Sequence, residues 1–445
     1  MACCDPSALF KLYVQVAPAE LFRLLQRQLK MSARDGIYSA RLVIWMMMNQ
    51  RLHARGTLAR SVEQLVQGRF DPLLSQCKRA RSRNIALSTG GYCQARQRLP
   101  KLLVSRSMEE LIERLRSRLL EDQAVLPQRT YLLDGSSVQL EHAPELVEAY
   151  PPACNQHGHS HWPVVRMVVL HDLETGLAER PCWGPLNGPK AVSEQALAEQ
   201  AMQHIPEGSV IVADRNFGIF ATAYAAQQRN HRVILRLTAV RAKSLYGKAI
   251  SRTGDYAVQW RASRWDGKKQ RSWPAGASLE GRLIACRVGR GKRKRWLYLF
   301  TTLSLPAEEV LALYRRRWHI ETDLRSLKQT VRLRRLSVQS TDMMEKELLV
   351  AVMAYNLVRA IMFQSARRAN IDPRQLSFTY ACNIVLDGYP KALAARTPAQ
   401  QEQELDRIID LVAKCRLPKR TKRRSYAREV WGRGYRFPIK RREKN

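Results

Sequence analysis

Four residues near position 320 have the side chains and the spacing for chemistry on phosphate esters. Tyr314, Arg317, Glu321 and Lys328 lie in the segment YRRRWHIETDLRSLK at successive steps of three, four and seven residues. On an α-helix those steps place all four side chains on one stripe of the surface. An acid with two cations and a phenol on one face is typical of a site for a metal ion and phosphate groups. The segment therefore predicts an enzyme that acts on nucleic acid.

Two further acids follow apolar runs that predict strands. Asp134 ends the run TYLLD and Asp214 ends the run VIVAD. Carboxylates at strand ends can converge at the carboxyl edge of an α/β sheet, where binding sites form. Together with Glu321 they would repel one another unless cations neutralised them, and carboxylate oxygens prefer Mg²⁺ or Mn²⁺. For each aspartate alone, an ordinary turn or cap residue is the alternative.

The charge of the chain favours a nucleic-acid partner. The net charge is +36 over 445 residues, and Lys and Arg side chains displace the counterions condensed on nucleic acid. A generic basic surface is the alternative. The last 30 residues contain 13 Lys or Arg against two acids, which predicts a basic tail that orders on DNA through stacking aromatic rings. The aromatic residues of this tail are Tyr426, Trp431, Tyr435 and Phe437.

Several features predict a soluble cytoplasmic protein associated with the nucleoid. The nine cysteines form no CxxC pair, as expected in a reducing compartment. The first residues have no basic segment before the apolar ones, so a secretory signal is not expected. The longest apolar run, 348–363, is interrupted by Asn356 and Arg359. This run predicts a buried helix and no membrane span.

The pattern of apolar residues divides the chain into five parts. Residues 1–125 carry helical stripes and predict a helical N-terminal DNA-binding domain, with a helical cap of no special function as the alternative. Residues 126–239 alternate strand and helix patterns and predict an α/β core with a mixed sheet. The predicted strands are 130–140, 164–171, 209–213 and 231–237, and the predicted helices are 193–205 and 217–229.

The second half of the chain changes pattern twice. Residues 240–295 are rich in Trp and Gly, show no helical period and predict a β-rich insertion with a basic loop at 290–295. Residues 296–370 predict a strand at 296–302 and then a long helix from Pro306, which would carry Glu321. Residues 371–445 form the basic C-terminal region.

The motifs together resemble the DDE transposases of insertion sequences, specifically the insertion-sequence-four family. The first acid lies in LLDGSSVQL and the second in IVADRNFG, and the helix carries the unbroken signature Y-x2-R-x3-E-x6-K. The segment GYCQARQRLP at 91–100 is similar to the N-terminal element of that family. The resemblance extends from about residue 35 to residue 370.

The resemblance implies a fold, an activity and a set of partners. The fold would be an RNase H-like core interrupted by a β insertion. The activity would be cut-and-paste transposition with nicking, a hairpin intermediate and strand transfer. Asp134, Asp214 and Glu321 would be the catalytic residues and the ligands of Mg²⁺ (or Mn²⁺). The partners would be the inverted repeats at the transposon ends, the target DNA and a second copy of the chain in a synaptic homodimer.

The resemblance also implies DNA contacts for four residues. Tyr314, Arg317 and Lys328 would bind phosphates, and Trp296 would stack on a flipped base during hairpin formation. A solvated helix face for the first three, and an aromatic packing role for Trp296, are the alternatives. For the whole chain, the alternatives are an RNase H-like nuclease or resolvase and a catalytically inactive DNA-binding protein derived from a transposase.

Overall fold

The computed structural model describes most of the chain. The described residues are 8–31, 36–53, 56–120, 128–155, 158–262, 274, 276–289, 294–387 and 397–418. The aromatic residues of the basic tail and residues 290–293 of the basic loop lie outside these ranges, so their predicted roles stay predictions.

The N-terminal segment is helical, as its apolar stripes predict. Ser39 and Thr57 cap two of the helices, because their side chains accept hydrogen bonds from backbone N–H groups of the first turn. Trp45 lies at the centre of the packing, with the rings of Phe10 and Tyr13 about it at centroid distances of 5.0 and 5.2 Å. The helices are α1 Ala8–Val16, α2 Ala19–Gln28, α3 Ala40–Leu52, α4 Leu58–Val66, α5 Lys78–Arg81, α6 Gly90–Arg98 and α7 Lys101–Leu120.

A mixed sheet organises the rest of the chain. The strands are β1 Thr130–Leu140, β2 Cys154–Asn155, β3 Gly158–His159, β4 Val164–Asp172, β5 Cys182–Pro185, β6 Val210–Ala213, β7 Arg232–Leu237, β8 Gly254–Arg261, β9 Ser278–Val288, β10 Arg295–Thr301 and β11 Arg335–Leu336. The order in the main sheet is β5-β4-β1-β6-β7-β10-β9-β8, and β11 pairs with β1. Strands β1, β6 and β7 are parallel, and the other neighbours on this path are antiparallel.

Helices cover both faces of this sheet. Successive side chains of a strand point to opposite faces, so Leu132 of β1 joins one apolar cluster and Leu133 joins the other. The helices are α8 Pro144–Ala149, α9 Glu194–Ala201, α10 Phe220–Gln227, α11 Ala239–Tyr246, α12 Ala307–Arg315, α13 His319–Arg325, α14 Thr341–Arg368, α15 Phe378–Asp387 and α16 Pro398–Lys414. Helices α9 and α10 pack on the face of Leu133, and α12, α13 and α14 pack on the face of Leu132.

Helix α14 is the predicted buried helix. Among the described residues it is the one helix long and apolar enough to cross a membrane, yet 94% of its most apolar window is buried inside the protein. Its polar interruption is satisfied, because the Asn356 side chain donates to the carbonyl of Ala178 and accepts from its N–H, both at 2.8 Å. The helix is therefore the core of a soluble domain, and α3 and α7 pack against it.

Two segments differ from their predictions. Residues 240–295, predicted to show no helix, include most of helix α11. Thr238 caps this helix, and Gly247 ends it in the left-handed conformation. Strands β8 and β9 of the same segment extend the main sheet beside β10. The long helix predicted from Pro306 contains a 3₁₀ turn at Arg316–Trp318 and ends in a π-helical turn at Ser326–Thr330. Local sequence signals did not indicate these changes of helical pitch.

We expect the substitution Gly218→Ala to destabilise the fold. A Cβ atom at Gly218 would overlap the carbonyl oxygen of Arg236 in strand β7. Because backbone must move to relieve the overlap, the free energy of unfolding should fall by about 1–3 kcal/mol, measured by urea denaturation. Gly90→Ala is the control, since a Cβ atom there meets nothing within 4 Å. Equal stability of the two variants would contradict this prediction.

Candidate active site

The end of strand β6 brings the two aspartates together. Strands β1 and β6 pair in parallel through Leu133 and Ala213, so the next residues, Asp134 and Asp214, lie side by side at about the spacing of neighbouring strands, ~4.8 Å. The strand predicted over 130–140 is confirmed as β1, and it continues through Asp134, which pairs with Val169 of β4. The aspartates meet because the parallel register of β1 and β6 sets them next to each other.

Arg317 connects the first aspartate to the predicted glutamate. One terminal nitrogen of its guanidinium lies 3.7 Å from Oδ2 of Asp134, and the other donates a hydrogen bond of 2.9 Å to Oε1 of Glu321. Arg317 is only 7% exposed. Within the described residues, no three acid, His or Cys side chains are close enough to hold one metal ion. The structure therefore places the acids around a shared arginine and not in a closed ligand set.

Negative charge accumulates around Asp134. The pKa of Asp134 is raised to about 6, chiefly by burial and also by the negative charges of Asp214 and Glu194, while the Gly135 N–H and Arg317 oppose the rise. The pKa of Arg317 is raised, because its contacts with Glu321, Tyr314 and Asp134 outweigh the effect of burial. A cation near Asp134 would relieve this repulsion, and carboxylate oxygens are the donors that hard divalent ions prefer. The residues present therefore fit such an ion.

Tyr314 lies close to the same acids. Its side chain is 8% exposed, and its hydroxyl lies beside the Arg236 guanidinium without a hydrogen bond of normal geometry within the described part of the chain. Burial raises the pKa of this phenol, the positive charges of Arg317 and Arg236 oppose the rise, and Asp214 adds to it. A buried hydroxyl of this kind is free to donate to an incoming anion.

Lys328 lies at the end of the segment, in the π-helical turn. A π turn shifts the phase of the helix, so Lys328 does not continue the α-helical stripe that the spacing predicts. Burial lowers the pKa of Lys328, and the neighbouring Arg334 lowers it further. Across the described ranges, no ion pair joins Lys328 to an acid. Unlike Arg317, Lys328 is therefore not tied to Glu321 or Asp134 by an ion pair among the described residues.

Trp296 packs on the face of the sheet opposite to helix α13. It lies at the start of β10, beyond the carboxyl end of β7, and therefore at the sheet edge where Asp214 follows β6. Its ring stacks on Tyr298 at 5.8 Å, under the Arg287 guanidinium at 5.0 Å. This packing belongs to the apolar cluster on the α9 and α10 face, opposite to the face that carries α13.

A buried ion cluster anchors the helix that carries Glu321. Asp323, two residues further on, is completely buried and accepts hydrogen bonds from Arg359 of α14 and from Arg374, the latter at 2.6 Å. His171 of β4 lies 3.7 Å from the same carboxylate. Burial opposes the charge of Asp323, but Arg374 and Arg359 outweigh it and hold the pKa of that carboxyl below its usual range. Helix α13 is thereby fixed against α14.

Sequence reasoning missed three neighbours of the site. Glu194 lies in the predicted helix 193–205 without a predicted site role, and Asn216 has none either, although it lies two residues after Asp214. Trp318 is 60% exposed, and the Arg317 guanidinium lies 5.2 Å from its ring. The Arg-Trp pair inside the signature was the only sequence signal for that contact.

Comparison with known proteins identifies the family. Residues 126–357, more than half of the chain, match the family described as the transposase DDE domain. The chain belongs to the DDE transposase family. Proteins of this family catalyse DNA cleavage and strand transfer and depend on divalent metal ions, so the transposase is an enzyme that acts on DNA.

One curated relative and one solved structure are also similar to the chain. The transposase is 28% identical over 317 residues to transposase InsG of insertion sequence element IS4 from Escherichia coli, over 69% of this chain and 68% of that protein. Among solved structures it is similar to the piggyBac transposase in a synaptic complex with hairpin DNA, with 12% identity and a TM-score of 0.38, over 91% of this chain and 85% of that one. The predicted insertion-sequence transposase is confirmed by the family match and by InsG.

Proposed function

We propose that Asp134, Asp214 and Glu321 are the metal ligands and catalytic residues of a cut-and-paste transposase. One observation carries this proposal: the β1–β6 pairing sets the two aspartates side by side, and Arg317 links Asp134 to Glu321. Mg²⁺ (or Mn²⁺) is the proposed cofactor, since it would activate a water or a 3′-hydroxyl and stabilise the leaving oxygen of a phosphodiester.

The strand order supports an RNase H-like core. In chain order, three antiparallel strands, β1, β4 and β5, are followed by two strands, β6 and β7, that lie parallel on the other side of β1. Strands β8 and β9 then form the proposed insertion before the helix of Glu321. The proposed divisions are 1–125, 126–239, 240–295, 296–370 and 371–445.

Each residue of the signature has a proposed task. Arg317 keeps Glu321 and Asp134 on one side of the sheet, and its planar fork suits phosphate oxygens. The Tyr314 hydroxyl, buried without a partner of good geometry, would donate to a phosphate oxygen. Lys328 would supply a mobile point charge to the DNA backbone further along the strand. These roles rest on the resemblance and on the contacts described above.

The assembly and the DNA path extend this proposal. We infer that the transposase binds the inverted repeats as a homodimer, in which each subunit holds one end, and that it acts at the nucleoid. The net charge of +36 supports a long DNA footprint.

The decisive experiment is cleavage of DNA that carries the ends of the element. In Mg²⁺ we expect a nick at each end, then a hairpin and then a flush double-strand break, resolved on a denaturing gel. EDTA should abolish all three products. Specific binding without any product in Mg²⁺ or Mn²⁺ would favour the inactive DNA-binding alternative. Cleavage without a hairpin would remove the hairpin step and favour a simple nuclease.

We expect the substitution Trp296→Ala to reduce hairpin formation while nicking continues. Trp296 lies at the edge of the sheet where Asp214 lies, and loss of one base–aromatic stack costs about 1–3 kcal/mol. The ratio of hairpin to nicked product should therefore fall by roughly 5- to 150-fold. Trp296→Phe keeps a stacking ring and is the control. An unchanged ratio with lower thermal stability would show that the ring only packs on Tyr298.

A further inference from the structure

Glu194 lies directly beside the first aspartate. It is the first residue of helix α9, whose cap Ser193 accepts a hydrogen bond from the N–H of Ala196. A Cβ atom on Gly135, the residue after Asp134, would lie 2.5 Å from Oε1 of Glu194. The absence of a side chain at Gly135 therefore makes room for the Glu194 carboxylate at the site.

A chain of hydrogen bonds connects Glu194 to the second aspartate. Oε2 of Glu194 accepts a hydrogen bond from the side-chain amide of Asn216. The backbone N–H of Asn216 donates to Oδ1 of Asp214 at 2.8 Å. Gln195 adds two bonds to the same residue, from its side-chain nitrogen to the carbonyl oxygen of Asn216 at 2.9 Å and to its Oδ1 at 3.1 Å. The start of α9 therefore holds the turn that follows β6.

This connection matters because Glu194 and Gln195 hold Asn216, while the Arg241 side chain donates separately to the carbonyl oxygen of Arg215 at 2.9 Å. Arg215 and Asn216 are exposed, and β6 ends at Ala213. A side chain at the end of a short strand takes its orientation from the turn that follows. Partners of a ligating carboxylate fix its orientation, and losing them weakens metal binding by about 10- to 100-fold.

We propose that Glu194 is a positioning residue of the active site, which orients Asp214 for cation binding by holding Asn216. The inference rests on the proposed role of Asp214 as a cation ligand. It assigns no metal contact to Glu194 itself. The glutamate acts through the Asn216 side chain, so the two residues should behave as one unit.

The test is the affinity of the full-length protein for Mn²⁺ without DNA, measured by isothermal titration calorimetry. Glu194→Ala and Asn216→Ala should each weaken Mn²⁺ binding by about 10-fold. The double variant should bind Mn²⁺ about as well as the weaker of the two single variants, because both substitutions remove the same hydrogen bond between Glu194 and Asn216. Glu194→Gln keeps an oxygen that accepts from Asn216 and should retain most of the affinity. Glu207→Ala, an exposed glutamate after α9, is the control and should bind as the wild type does.

Three results would overturn the inference. They are wild-type Mn²⁺ affinity in Glu194→Ala, losses in the two alanine variants that add in full, and a loss in Glu194→Gln as large as that in Glu194→Ala. Thermal unfolding shows whether each variant is folded, and if Glu194→Ala is not, Asn216→Ala and Glu194→Gln decide the question. The variant Asp214→Asn tests separately whether Asp214 binds the cation. Wild-type Mn²⁺ affinity in that variant would contradict the proposed function itself.

Discussion

Glu321→Gln should abolish nicking, hairpin formation and strand transfer, while binding to the transposon ends continues. The substitution keeps the size of the side chain and an oxygen that can accept the hydrogen bond from Arg317, but it removes the charge proposed to hold a cation. We expect the nicking rate to fall by at least about 1,000-fold, equivalent to about 4 kcal/mol of transition-state stabilisation. Single-turnover cleavage in Mg²⁺ measures the rate, and a gel shift measures DNA binding.

A glutamate on the neighbouring helix provides the control for this result. Glu309 is exposed in the first turn of α12, so Glu309→Gln should leave both the rate and DNA binding unchanged. Nicking by Glu321→Gln at more than about a tenth of the wild-type rate would remove the assigned catalytic role. If the variant lost both DNA binding and thermal stability, the result would instead indicate that Glu321 supports the fold.

Asp323→Ala should cause the largest loss of stability of any substitution considered. Its carboxylate is buried and faces two buried guanidinium groups, those of Arg359 and Arg374. Removing one member of a buried ion pair leaves uncompensated charge and costs about 3–5 kcal/mol. Urea denaturation should show this decrease in the free energy of unfolding.

The outcome for Asp323 also bears on catalysis. Because Asp323 and Glu321 share helix α13, a loosened helix should slow nicking even at temperatures where the variant is folded. Asp406→Ala removes an exposed ion pair with Arg368 and is the control, with little change in stability expected. Wild-type stability of Asp323→Ala would show that the cluster does not anchor α13.

The sequence by itself identified the chemistry and the family. Three features were sufficient: the signature from Tyr314 to Lys328, the two aspartates after apolar runs, and the strong positive charge. Residue type and local spacing are properties of the sequence and do not depend on tertiary structure. Most strands and helices of the core were predicted for the same reason: their apolar periods are local, and the helix predicted at 193–205 is found as α9, which Ser193 caps. The buried character of α14 followed from its composition.

Only the tertiary structure decided how these residues meet. Asp134 adjoins Asp214 because β1 and β6 pair in parallel with Leu133 opposite Ala213. The contact of Arg317 with Asp134 and the anchor at Asp323 join segments far apart in the chain. The periodicity of apolar residues does not indicate such contacts, since they depend on which faces of distant elements pack together. For the same reason, the face taken by Trp296 and the approach of Glu194 to Gly135 were decided by the packing of the sheet and its helices.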